Sequence, residues 1–195
     1  MLLFVFFGAE IMQGRIQVDD QRLWELGTVQ LKHLYAGFSD ETRQALTNVM
    51  LRYRKVKESH AAVVGEADAS ILCRNCCGQC CMNGKYRINV LDYLSRLIGN
   101  VPTSVDFMHK PLCPYGTDAG CTMDAGLRPA DCVAFICEAI DACLSQKARL
   151  QLGVYEQEMR ECLREASRLA GVSMGTPVLL WADTVVSEKN YRCKG

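Results

Sequence analysis

Five cysteines occupy nine consecutive residues, Cys73-Arg74-Asn75-Cys76-Cys77-Gly78-Gln79-Cys80-Cys81, and four more follow at Cys113, Cys121, Cys132 and Cys137. Thiolates at C-x2-C spacing can close on one metal ion, because the two intervening residues turn the backbone and aim both sulfurs at one point. Cys73/Cys76 and Cys77/Cys80 both have that spacing. A disulfide needs Cα atoms about 4.4 to 6.8 Å apart, which adjacent cysteines reach only with strain. The nine thiols are therefore read as candidate metal ligands. They exceed one tetrahedral site, which takes four. Eight would suit two four-cysteine zinc sites, or an iron–sulfur cluster with a second centre, and spacing does not choose between them. Cys80 and Cys81 are vicinal, so their side chains diverge. Cys132 and Cys137 are separated by about 140° on a continuous helix, so either the helix starts after Cys132 or the two serve separate sites. Pro129 favours an early irregular turn.

The order of these parts has a precedent. Cys-Gly-Gln-Cys-Cys, then Cys113-Pro-Tyr-Gly-Thr-Asp-Ala-Gly-Cys121, then Leu127-Arg128-Pro129-Ala-Asp-Cys132-Val-Ala-Phe135-Ile-Cys137 resembles the YkgJ-like cysteine-cluster family. That domain chelates zinc or iron and is named for its CxxCxxCC motif. The resemblance spans residues 73–137 and implies a zinc or iron–sulfur centre; a related cysteine pattern occurs in flagellin lysine methylases. Three departures stand out. Arg74 lies three residues before Cys77, the interval from Cys121 to Arg128 is one residue longer than the family's with Gly126 as the insertion, and Val133 replaces an arginine. The first leaves open which of Cys76 and Cys77 is a ligand.

Arg74, Lys85, Arg87, Lys110 and Arg128 accompany the cysteines. A four-thiolate zinc site or an oxidised four-iron cluster carries net negative charge, so neighbouring cations and N–H groups stabilise it. Arg128, beside Pro129 and between two candidate ligands, is expected to assist cofactor binding in this way. His109 is a further possible ligand, more simply read as a loop histidine. Asp118, Asp124 and Asp131 suit turns. Cys143 and Cys162 lie on apolar helix faces and are expected to pack as small hydrophobes, while Cys193 sits in a polar tail. The sequence contains no nucleophile elbow, phosphate-binding glycine loop or HExxH motif.

The chain has 195 residues, 49% of them hydrophobic, with 22 basic and 22 acidic side chains. The charge balance holds within a single unit over residues 1–72, 73–137 and 138–195 alike. No stretch offers the basic face that nucleic acid would require. Nine of the twelve cysteines lie between 73 and 137, whereas a disulfide framework spreads them along the chain. The apolar run near Met1 lacks a basic lead-in and is far short of the roughly 20 residues of a membrane span. These features predict a cytoplasmic protein with reduced thiols, no membrane partner and an unidentified protein partner. Translation from Met12 is an alternative to Met1, and a short buried strand is the other reading of residues 1–11.

The elements that must position the thiols are helical. Residues 18–37 show Leu23, Trp24, Leu26, Leu31, Leu34 and Tyr35 at helical spacing, although Gly27 costs about 1 kcal/mol against alanine. Ser39 caps a second helix over 40–62 with the stripe Leu46, Val49, Met50, Tyr53 and Val56, and the two are expected to form an antiparallel hairpin. A short helix from Val90 to Ile98, capped by Asn89 and ended by Gly99, is embedded in the cysteine zone. Pro129 opens a third long helix with Val133, Ile136, Ile140, Cys143 and Leu144 inward. Gly153 breaks it, and a fourth runs over 154–170 with Tyr155, Met159, Cys162, Leu163, Ala166 and Leu169 inward. Residues 176–182 read as an extended apolar segment. The expectation is a single mostly α domain: a helical hairpin at 18–62, an irregular cysteine-rich metal-binding centre at 73–137 and a helical extension at 138–171. Its function is expected to be that of an iron–sulfur protein with a redox or protein-modification role. The alternatives are a zinc-binding structural or interaction module and an enzyme using the metal as Lewis acid.

Overall fold

The computed structural model describes residues 4–75, 84–103, 105–108, 113, 115–117 and 120–182, with the backbone alone over 4–19. The fold is mostly α. Helix α1 spans Phe4–Ala36, so the backbone is helical well before residue 18 and the strand reading of the N-terminal run is not met. Trp24 and Leu31, two turns apart, are its buried contacts, whereas Leu26 is exposed. Helix α2, Asp40–Gly65, starts at Ser39, whose Oγ accepts from the Thr42 amide at 3.2 Å. Its expected stripe is buried in full, and Lys57, His60 and Val63 continue it.

The main partner of α2 is not α1. It is α7, Gln146–Ala170, near the far end of the described chain. Arg52 reaches Cys162 and Glu165, while Val63 eleven residues later packs with Leu152, so the two helices run antiparallel. Helix α1 instead lies against α4 and the segment 178–182. Gly27 explains itself there. A Cβ on it would stand 3.0 Å from the Val178 carbonyl oxygen and 3.1 Å from the Ala182 Cβ. The glycine that weakens the helix locally is what lets a second backbone come this close.

Helix α4, Val90–Ile98, matches its expected bounds and carries a full capping box: Asn89 Oδ1 accepts from the Asp92 amide at 2.8 Å and Asp92 returns a bond to the Asn89 amide. Val90 to Arg96 are all buried, which makes α4 the centre of the molecule. Its first amides are satisfied by an adjoining chain segment: Val90 N donates to Thr176 O and Leu91 N to Met174 O, both at 3.0 Å. Pro177 pairs with Asn89 in a bridge, but residues 178–182 are helical, so the extended reading holds only up to Pro177. Trp24, Tyr93, Phe107 and Tyr86 make edge-on or tilted ring contacts with centroids 5.7 to 6.0 Å apart, joining α1, α4 and the cysteine zone in one core.

The third long helix is not continuous. Helix α5 is only Ala130–Ala134 and α6 only Glu138–Asp141, with extended residues between them. The chain then turns at 142–145, and Ser145 caps α7, its Oγ accepting from the Ala148 amide at 3.1 Å. Once α7 has started, Gly153 does not stop it. The free energy of adding one residue to an established, packed helix outweighs the glycine penalty of about 1 kcal/mol. Gly171, at φ +68°, does end it. Among the described residues, no helix is long and apolar enough to cross a membrane.

Candidate metal centre

Helix α3, Ala69–Asn75, carries Cys73. Of the nine candidate thiols, Cys73, Cys113, Cys121, Cys132 and Cys137 are described. Cys76, Cys77, Cys80 and Cys81 lie outside the described residues, as do His109, Lys110, Asp118, Cys193 and the side chains of Arg74 and Lys85.

Cys113 precedes a tight turn in which Gly116 N donates to Cys113 O at 2.7 Å. A minimal hairpin follows, β1 Gly116–Thr117 with β2 Gly120–Cys121, pairing Gly116 with Cys121. Thr122 closes its base with two bonds to Tyr115 O, from N at 2.8 Å and from Oγ1 at 3.1 Å. Asp124 then caps a 3-10 turn over Ala125–Leu127, and Arg128 and Pro129 lead directly into α5 and Cys132. Strands of two residues and turns of three have almost no stability of their own. Their contacts with the helices must hold them.

Those contacts bring two thiols to one point. The 3-10 turn Gly84–Arg87 packs on α5, and a Cβ on Gly84 would stand 3.3 Å from Cys113 Sγ and 3.6 Å from Cys132 Sγ. Both sulfurs therefore crowd one point, and the absent side chain leaves the space in front of them open. Cys121 is close enough to act on Cys132 electrostatically. Burial is the main cause pushing the Cys132 thiol up to about 12; Arg87 opposes the rise, and Asp92, Cys113 and Cys121 add to it. Cys73 and Cys137 approach through their elements, since α3 packs on both β2 and α6, which Cys137 precedes as N-cap. The break at residues 135–137, not a late start of α5, separates Cys132 from Cys137, so the irregular turn follows Cys132 rather than preceding it. No three His, Cys, Asp or Glu side chains among the described residues stand in coordinating array. What the described residues bring together is a pair of cysteine sulfurs at a glycine, and thiolate donors fit a thiophilic metal such as zinc or an iron–sulfur cluster.

Arg128 is bonded to the backbone beside the thiols. Its Nε donates to Met123 O at 3.0 Å and its Nη2 to Cys121 O at 3.4 Å, so it acts on the backbone that carries Cys121. The cation that acts on Cys132 is Arg87, whose guanidinium lies 5.2 Å from the Phe135 ring centroid. Cys162 is buried as expected and accepts from Arg52 Nε at 3.3 Å. Cys143 is exposed, because the helix it was assigned to ends before it.

Sequence reasoning missed the charges in the core. Lys57 and Asp92 are both fully buried and paired at 2.9 Å. Lys57 sits four residues after Tyr53, on the apolar stripe of α2, and its Nζ lies 4.5 Å from the Tyr53 ring centroid. A lysine in phase with a buried stripe was the available signal. Arg96 is buried too, donating to Pro102 O and, at 3.0 Å, to the Tyr115 hydroxyl. It ties α4 to the loop between Cys113 and Cys121.

Comparison of the chain with protein-family models, curated proteins and solved structures finds no match. The likeness to the YkgJ-like family thus rests on the motif residues alone.

Proposed function

We propose that this chain is a metal-binding protein whose multi-cysteine centre holds an iron–sulfur cluster and serves a redox or protein-modification role. The observation that supports it best is the approach of the Cys113 and Cys132 sulfurs to one point beside Gly84, with Cys121 near enough to act on Cys132. A bound cluster would supply one-electron chemistry. The chain's own part is to present sulfur donors, to exclude water by burying Cys113, and to place Arg87 where it offsets negative charge. The cysteine zone carries Cys76, Cys77, Cys80 and Cys81 in the same stretch of chain, which supplies enough thiols for a complete coordination shell. A cytosolic setting, where thiols stay reduced, belongs to the same proposal.

The second reading is a zinc-binding structural or interaction module. It is favoured by the minimal hairpin and short turns around Cys113 and Cys121, which a closed four-thiolate zinc would cross-link. Purification without oxygen, followed by iron and acid-labile sulfide analysis and electron paramagnetic resonance after reduction, separates the two. Iron with matching sulfide supports the cluster. About two zinc ions per chain with no sulfide retires it and leaves the module. Protein free of both after anaerobic reconstitution rules out the metal reading altogether.

A further inference from the structure

Burying an ion pair costs several kcal/mol per charge in lost hydration, and apolar residues of similar size often do as well or better. Lys57 and Asp92 are buried completely all the same, at the meeting point of α2 and α4. Besides the Tyr53 side chain beside Asp92, the pair bonds to three backbone groups. Lys57 Nζ donates to Arg128 O at 2.8 Å, and Asp92 Oδ2 accepts from Ala130 N at 3.2 Å. Asp92 Oδ2 also closes the capping box at the Asn89 amide, 3.4 Å away. Two of these three contacts grip residues 128 and 130, on either side of Pro129 and immediately ahead of Cys132. Arg128 passes the constraint on, since its guanidinium holds the Cys121 and Met123 carbonyls.

One buried pair thus reaches, through Arg128 and Ala130, the segments carrying Cys121 and Cys132. A pair retained only to steady the core would have its outward bonds anywhere on α2 and α4. Here one serves the cap of α4, and the other two fall on the approach to the site.

We infer that Lys57 and Asp92 are positioning residues for the metal centre, fixing Cys121 and Cys132 relative to each other before metal arrives. The inference rests on the metal-binding reading above. Two fixed helices, α2 and α4, hold the ammonium and the carboxylate, and the loop from Cys121 to Cys132 is hung on them by backbone groups, of which an amide is lost only to proline. Metal then meets a preorganised pair of sulfurs rather than having to order the loop itself, and that saving appears as affinity.

Cobalt(II) is the probe, since its thiolate charge-transfer and ligand-field bands report both affinity and coordination geometry. The full chain is titrated anaerobically in four forms: unsubstituted, K57M/D92L, A130P and L46A. K57M/D92L removes both charges and fills their volume. A130P deletes only the amide that Asp92 accepts from, at the first position of α5 where proline is tolerated. L46A destabilises the core away from the site. We expect K57M/D92L and A130P each to bind cobalt about tenfold or more weakly, the equivalent of one lost charge-assisted hydrogen bond, with altered ligand-field bands. L46A should melt earlier yet keep the original affinity and spectrum. Unchanged affinity and bands in A130P, or in a folded K57M/D92L, overturn the positioning role while leaving the metal reading intact. An L46A titration that weakens as much as the other two also overturns it, because general destabilisation then accounts for the loss. Absence of cobalt binding by the unsubstituted chain overturns the metal reading and this inference with it.

Discussion

Single residues decide whether the thiols can share a metal. Gly84 is the sharpest case, because a methyl group there would press on Cys113 Sγ at 3.3 Å and crowd Cys132 Sγ at 3.6 Å. Gly84→Ala should therefore reduce metal content measurably while leaving the melting temperature of metal-free protein within a few degrees, since alanine suits the backbone and lowers unfolded-state entropy. Metal analysis beside calorimetry checks both halves. Cys132→Ser should lose metal and Cys143→Ser should not, the first thiol being half-buried among its neighbours and the second exposed. His60 offers a test independent of metal. It is fully buried, neither ring nitrogen has a hydrogen-bond partner among the described residues, and burial holds its pKa below the usual 6.5, partly offset by Glu156 of α7. The unfolded chain then takes up this proton first as pH falls. His60 thus contributes stability that is present above about pH 6.5 and lost as pH drops through its lower folded value, at no more than about 1.4 kcal/mol per pH unit. Denaturant titrations of His60→Leu between pH 7.5 and 5 should show a shallower loss than the unsubstituted chain; parallel curves would contradict the assignment.

Elements, taken one at a time, obey local rules where their ends are capped and depart from them where packing outbids propensity. Ser39, Asn89 and Gly99 mark helix ends that hydrogen bonding alone explains. Gly27 and Gly153 are both interior glycines, yet one is required by a neighbouring backbone and the other merely tolerated. That contrast yields opposite signs. Gly153→Ala meets nothing within 4 Å and should stabilise by about 0.5–1 kcal/mol through helix propensity. Gly27→Ala gains the same propensity but sets a methyl 3.0 Å from the Val178 carbonyl oxygen, which is backbone and has little room to yield. Overpacking costs about 1–3 kcal/mol, so the net effect should be destabilising. Urea titrations of the two variants decide the point.

At the scale of the molecule, the cysteine zone is draped over a frame made by α2, α7 and α4. The frame buries Leu46, Tyr53, Met159, Cys162 and Ala166 and depends on no thiolate–metal bond. Stripping metal with a chelator should accordingly raise amide exchange across residues 113–137 while α2 and α7 stay protected, which hydrogen-exchange mass spectrometry would resolve by peptide. Uniform deprotection of the whole chain would mean that metal and core fold as one unit. Bound structural zinc contributes on the order of 10 kcal/mol in small finger peptides, but a chain with this much apolar core needs less of it, so the expected loss of overall melting temperature is moderate.

The mostly α character, the stripes of α2 and α7, the cap of α4 and the thiol-rich zone could all be read from the sequence, because each is carried by residues within one or two turns of each other. Periodicity at 3.6 residues and a Ser or Asn at a helix start act locally, whatever the chain does elsewhere. The tertiary structure alone decided what required distant residues to meet. Sequence adjacency pointed α2 toward α1, whereas the buried surface of α2 matched α7, some hundred positions away. The break between α5 and α6 reflects packing that no spacing of Val133, Ile136 and Ile140 reveals. Lys57 lies in phase with an apolar stripe, and only Asp92 and the Arg128 carbonyl beside it account for its burial. Which thiols converge likewise depends on a hairpin of two-residue strands and a glycine at position 84, features whose stability is lent by the helices around them and which leave almost no local signature.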